Sequence, residues 1–271
     1  MGTVGSRCAD RARRTRMARL TVVADKNAMS EAAAERTTSL IESAIAERGL
    51  AAVSLTGGDT PDLLYQFLGD PTRRWRARIE WQRLHLFWGD EREVPPDHPE
   101  SNYGLARRTL LQHVDVPETQ IHRMRGELPA SDAGRLYDAV LRARRDQTVG
   151  PLFDVMLLGI GSNAHIASIF PESPLLAGRQ VPPYTSRLAT GVAVPEISQW
   201  RITMTPQAIL DSANIIMIAS GASKADAVSA AIEGSIDVER FPAQLLREAG
   251  DRVEWIIDAA AAARLPAAPP A

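Results

Sequence analysis

The 271-residue chain has a single cysteine, Cys8, which excludes a disulfide framework and fits a reducing compartment. It lacks any apolar run long enough to span a membrane. A formal net charge of −2 gives no global field that would draw nucleic acid or an anionic membrane. No cluster of histidine, cysteine and acidic residues has metal-ligand spacing, so a metal centre is not expected. The arginines at 7, 11, 13, 14, 16 and 19 form a basic segment with no apolar stretch behind it, so a secretory signal is not expected. No aromatic residues interleave those arginines for stacking on bases, which argues against a nucleic-acid tail.

Residues 1–18 are therefore expected to be a disordered basic arm, with Met17 a candidate start, and 266–271 a frayed Pro/Ala tail. No internal repeat and no Pro/Gly/Ser-rich linker divides the remainder, so 19–265 reads as one α/β domain. A cytoplasmic monomer or weak homodimer is expected.

What is present is ordinary globular material: 45% hydrophobic and 24% charged residues, enough for a sizeable core. Apolar runs at 20–24, 51–55, 84–88, 153–159, 215–219 and 253–257 alternate with helical patterns. Several are apolar at consecutive positions, as strands covered by helices on both faces should be. Ala33, Thr37, Leu40, Ile41, Ala44 and Ile45 form one helical stripe that Gly49 stops. Another covers Ala133, Leu136, Tyr137, Val140 and Leu141, with Ser131-Asp132 as its expected cap, and a third runs from Ala225 to a stop at Gly234. This alternation predicts a doubly wound, mostly parallel sheet of Rossmann-like type. Ligands of such sheets bind beyond the carboxyl ends of the strands, so the segments after each strand carry the functional information.

Four of them have unusual chemistry. The second strand runs into Thr56-Gly57-Gly58-Asp59-Thr60-Pro61, where Thr60 suits an N-cap and Pro61 the first helical position. Gly57 and Gly58 let backbone N–H groups approach an anion at a helix N-terminus, and Asp59 is expected to point away. The third is followed by Gly89-Asp90-Glu91-Arg92 and then Ser101-Asn102-Tyr103 at a helix start. Arg92 can grip a phosphate bidentately, with Asp90 or Glu91 holding its orientation. The fourth leads into Gly161-Ser162-Asn163-Ala164-His165, which sets His165 where a ligand would lie. His85, by contrast, lies within a strand pattern and is expected in the core. The fifth ends in Ser220-Gly221-Ala222-Ser223-Lys224. A lysine in the first turn of a helix opposes the dipole, a cost that makes sense if Lys224 and the helix share an anion.

In this order the segments resemble those of 6-phosphogluconolactonases, within a wider group that includes glucosamine-6-phosphate deaminases. Gly57-Gly58-Asp59-Thr60-Pro61 is similar to the family's Gly-Gly-Ser-Thr-Pro turn, and 90–95 with 101–103 to its Asp-Glu-Arg-x-Val-Pro and Ser-Asn-Tyr segments. Residues 159–171 resemble Gly-x-Gly-x-Asp-Gly-His-x-Ala-Ser-Leu-Phe-Pro, 201–205 Arg-Ile-Thr-x-Thr, and 220–224 Ser-Gly-x-x-Lys. The similarity runs unbroken over about residues 20–265.

The resemblance implies hydrolysis of 6-phospho-D-glucono-1,5-lactone to 6-phosphogluconate in the oxidative pentose phosphate pathway, with no metal or organic cofactor. It implies His165 as the acid/base that activates water beside Asn163, and Arg92 and Lys224 on the phosphate. Gly57, Gly58, Thr60, Asp90 and Asn102 complete the expected substrate site. Two positions depart from the pattern. Ala164 replaces a glycine, which is harmless if its φ is negative. Asn163 replaces an aspartate, and a neutral amide cannot stabilise an imidazolium. Two alternatives follow: a deaminase, whose glutamate would fall at Phe170, and a sugar-phosphate-binding protein without catalysis.

Overall fold

The computed structural model describes residues 18–177 and 186–266. The expected arm lies outside these residues except for Ala18, and so does the tail beyond Pro266. In chain order the elements are β1 (Arg19–Val23), α1 (Lys26–Arg48), β2 (Ala51–Leu55), α2 (Asp62–Gly69), α3 (Arg74–Arg78), β3 (Leu84–Trp88), β4 (Asp90–Arg92), α4 (Asn102–Thr109) and α5 (Ala130–Gln147). They continue with β5 (Val155–Gly159), α6 (Pro174–Ala177), β6 (Ala189–Val194), β7 (Gln199–Met204), α7 (Pro206–Leu210), β8 (Ile215–Ala219), α8 (Ala225–Ile232) and β9 (Val253–Asp258).

Six strands form a parallel sheet in the order β1-β9-β8-β5-β2-β3. Side chains alternate across it. On β5, Met156 and Leu158 join the core under α5 and α8, while Val155 and Leu157 join the one under α1 and α2. Burial on both faces explains the unbroken apolar runs. β1 departs from that expectation: it lies at the sheet edge, and Leu20 and Val22 remain about half exposed. Arg19, whose charge counts toward the basic segment, lies in β1 and pairs with Glu254 at 3.1 Å.

Caps follow local chemistry with two corrections. Asp25 caps α1 by accepting from the Ala28 N–H, and Gly49 ends it at φ 79°. The expected Thr60 cap is displaced by one residue, because Pro61 holds the cap position of α2 and α2 starts at Asp62. Likewise α5 starts at Ala130 behind Pro129, ahead of Ser131 and Asp132.

A second, antiparallel sheet, β4-β7-β6, was not expected from the sequence. Gly89 alone separates β4 from β3, so the chain passes from one sheet to the other at the carboxyl edge. The chain steps outward from β2 to β3 on one side of the main sheet, and from β5 to β8 to β9 on the other. The loops after β2 and β5 therefore diverge, and the crevice between them is where ligands of such sheets bind.

Candidate active site

The crevice opens into a cavity of about 620 Å³ that all nine expected site residues line: Gly57, Gly58, Thr60, Asp90, Arg92, Asn102, Asn163, His165 and Lys224. The glycine turn is held from below by Tyr65, whose hydroxyl accepts from the Thr56 N–H and donates to its carbonyl. Gly57 is required for close approach, since a Cβ there would fall 1.7 Å from Oδ1 of Asn102. Asp59 does not turn away: it lines the cavity and its charge acts on Lys224.

The acidic run after β3 is structural. Buried Glu91 accepts from the backbone N–H groups of Arg92, Asn102 and Tyr103, each at 2.8 Å, and from the Ser101 hydroxyl. It thus satisfies the open end of α4. Asp90, also buried, accepts from the Ser168 hydroxyl at 2.6 Å and from Asn102 Nδ2 at 3.1 Å. Neither carboxylate hydrogen-bonds the Arg92 guanidinium, contrary to expectation. That group donates to the Glu100 carbonyl, and its Nε is buried without a partner among the described residues. Across β4 and β7 the register sets Arg92 opposite Arg201. Burial and then the Arg92 charge lower the pKa of Arg201.

The loop after β5 places the histidine. The Gly161 N–H donates to the His165 carbonyl at 2.9 Å and the Ala164 N–H to the Gly161 carbonyl at 3.0 Å. These bonds engage two N–H groups of the loop that an oxyanion would otherwise find. Ala164 has φ 64°, contrary to the negative value that would have made its replacement of glycine harmless. The loop holds an alanine in the left-handed region, at a cost of order 1 kcal/mol.

His165 Nδ1 lies 2.6 Å from Asn163 Oδ1, and the ring stacks on Phe170 with centroids 4.0 Å apart. Burial holds the imidazole far below its ordinary value, at about 4; Asp90 opposes the shift, and Lys224, Arg201 and Arg92 add to it. Lys224 sits in the turn before α8, behind Gly221, whose N–H donates to Asp258. Burial also lowers the pKa of Lys224, against the charge of Asp59.

The lining residues missed as site residues include Lys26, Ser168, Phe170, Glu196 and Arg201. Arg201 lay within a recognised motif but had no strand to place it. Lys26 and Glu196 had no local signal. His85 is not in the core: it is half-buried, with Nδ1 3.1 Å from Nε2 of His122. Among the described residues, no group of three or more histidine, cysteine or acidic side chains could hold a metal, and no helix is long and apolar enough to cross a membrane.

The model of the family "Glucosamine-6-phosphate isomerases/6-phosphogluconolactonase" matches residues 24–255. The chain belongs to that family. Within the family, it is 39% identical over 251 residues to the 6-phosphogluconolactonase of Mycobacterium tuberculosis, covering 89% of this chain and 96% of the relative. It is 35% identical to that of Synechocystis, over 88% of this chain and 94% of the other. Among solved structures, the 6-phosphogluconolactonase of Trypanosoma brucei superposes with a TM-score of 0.76 at 27% identity, covering 92% of this chain and 99% of that one. A monomeric glucosamine-6-phosphate deaminase superposes at 0.70 with 26% identity, over 91% and 99%.

Proposed function

We propose that the chain hydrolyses 6-phospho-D-glucono-1,5-lactone to 6-phosphogluconate, the second step of the oxidative pentose phosphate pathway, with His165 as the base. The observation that carries this reading is the bond from His165 to Asn163 Oδ1. An amide oxygen only accepts, so Nδ1 keeps the proton and Nε2 is the basic nitrogen. With a pKa near 4 the ring is neutral at physiological pH, the form a general base needs.

The dianionic phosphate docks against Arg92, Lys224 and the 57–60 turn, with Arg201 as a third cation. Its two negative charges offset most of the field of the three cations that hold His165 down, so the substrate itself raises the basicity of the ring. Nε2 takes a proton from water as the oxygen attacks the lactone carbonyl. It returns that proton to the ring oxygen as the C–O bond breaks, leaving the open carboxylic acid. Positioning by the distant phosphate supplies the proximity term. Cofactors have no part in this scheme. The enzyme acts in the cytoplasm on a small sugar phosphate, as a monomer or weak homodimer, without nucleic-acid or membrane partners.

The deaminase reading is disfavoured by Phe170. Where the deaminase pattern has a glutamate to move protons, this chain stacks an aromatic ring on His165. The test is turnover of freshly generated lactone, followed as acid release against the spontaneous rate. Acceleration that His165→Ala abolishes while 6-phosphogluconate still binds supports the reading. No acceleration by the wild-type chain, with tight product binding, would turn it into a binding protein.

A further inference from the structure

Glu196 lies 33 residues from Asn163, at the tip of the β6–β7 hairpin, in the short turn Pro195–Ile197. The Ser198 N–H donates to the Pro195 carbonyl at 3.1 Å, and the Val194–Gln199 pair closes the hairpin beneath it. From there the Glu196 carboxylate reaches across the cavity mouth to Asn163. Nδ2 of Asn163 donates to Oε1 at 3.0 Å and to Oε2 at 2.9 Å.

We infer that Glu196 is a positioning residue for the reaction: it fixes the orientation of the Asn163 amide, and through it the tautomer of His165. The inference rests on the reading of His165 as the base. An asparagine can present either end to an imidazole, and the two ends demand opposite tautomers. With the oxygen facing Nδ1, the proton sits on Nδ1 and Nε2 is free to act. With the NH₂ facing Nδ1, the proton must sit on Nε2, and the base is lost. An ionised carboxylate only accepts, so Glu196 holds the NH₂ end and turns the oxygen to the histidine. The His165 backbone N–H, 3.3 Å from the same oxygen, pulls the same way but through a longer contact.

The chain thus carries a relay in which His165 donates to Asn163 and Asn163 donates to Glu196. The carboxylate that an aspartate at 163 would supply directly stands one residue further out. Its charge also polarises the amide and makes Oδ1 a stronger acceptor for the Nδ1 proton. Glu196 touches neither the attacking water nor the lactone in this scheme and acts only through Asn163.

The experiment is a double-mutant cycle on the full chain, with steady-state lactone hydrolysis and ¹⁵N-histidine spectra as readouts. Glu196→Ala lowers kcat about three- to tenfold, the worth of one hydrogen bond, and leaves KM near its starting value. The His165 signals move from the Nδ1–H tautomer toward a mixture. In the Asn163→Asp background the sign reverses. The introduced carboxylate then holds the Nδ1 proton unaided and Glu196 becomes a like charge beside it, so removing Glu196 leaves kcat unchanged or raises it. An equal fold-loss in both backgrounds, or a wild-type tautomer and kcat untouched by Glu196→Ala, overturns the inference. Turnover that survives His165→Ala overturns the reading of the base instead, so the two failures are distinguishable.

Discussion

Arg92 and Arg201 are direct cross-strand partners on β4 and β7, both lining the cavity, with no ion pair to either among the described residues. Like charges opposite each other on a sheet destabilise it. An anion bound at that cavity wall would offset the repulsion.

Arg201→Met therefore separates binding from stability. Loss of a charge-assisted contact to phosphate raises KM roughly ten- to a hundredfold, about 1.5–3 kcal/mol. The same change relieves the repulsion, so the melting temperature stays level or rises. Calorimetry with 6-phosphogluconate and a thermal melt check both. Unchanged affinity removes Arg201 from the phosphate site.

The pH profile follows from the charges around His165. Its pKa near 4 is set first by burial, with Asp90 opposing and Lys224, Arg201 and Arg92 reinforcing. The acid limb of kcat/KM, which reports the free enzyme, falls near pH 4. The limb of kcat lies higher, because bound phosphate offsets the three cations. Lys224→Met removes one of them and moves the kcat/KM limb upward, whereas Asp90→Asn moves it downward. A limb that stays put in both variants would detach His165 from the rate-determining proton transfer.

Largely apolar runs at 51–55, 84–88 and 215–219 were enough to place three strands of the main sheet to the residue, because burial on both faces leaves few polar positions in them. The small sheet escaped notice for the opposite reason. β4 is the charged triplet Asp90–Arg92, and the strand it pairs with, β7, lies more than 100 residues away. The nine anticipated site residues share a property: each sits directly after a strand of the main sheet or opens a helix, where position predicts exposure to a ligand. Arg201 and Glu196 lie on the antiparallel hairpin instead, and only the folded register brings them to the cavity. Ala164 is a local misjudgement, since nothing in the sequence signals a left-handed alanine.

A stability prediction concerns the second histidine site. Burial, then the charges of His85 and Arg144, push His122 down to about 4. Its ring stacks on Phe87 with centroids 4.4 Å apart. The unfolded chain takes up this proton near pH 6.5, the folded chain only near 4, so the unfolded state binds more protons between those values. The fold loses stability as pH falls from about 6.5 to 4. Because the ring is only half-buried, the effect is of order 1 kcal/mol. His122→Gln flattens that part of the stability curve, measured by urea unfolding at about pH 7 and about pH 5, on either side of the onset. An unaltered difference between the two conditions would place the acid sensitivity elsewhere.

The geometry of the base itself is tested at Gly161. A Cβ there would fall 2.1 Å from His165 Nδ1 and 2.2 Å from Cε1, well inside contact distance. Gly161 is not among the positive-φ residues, so alanine needs no left-handed backbone, and the three atoms nearest its Cβ all belong to the imidazole. Phe170 covers the ring by stacking. Relief must therefore come from swinging Nδ1 away from Asn163, which frees the tautomer and moves Nε2. A displacement of about 1 Å at a reacting group costs on the order of a hundredfold in rate. Gly161→Ala should lower kcat by about that factor while KM, set by the phosphate contacts, stays close to wild type. A melting temperature within a few degrees of wild type would show that the loop still folds. Full activity in a folded Gly161→Ala would mean that His165 does not act as the base from its place beside Asn163.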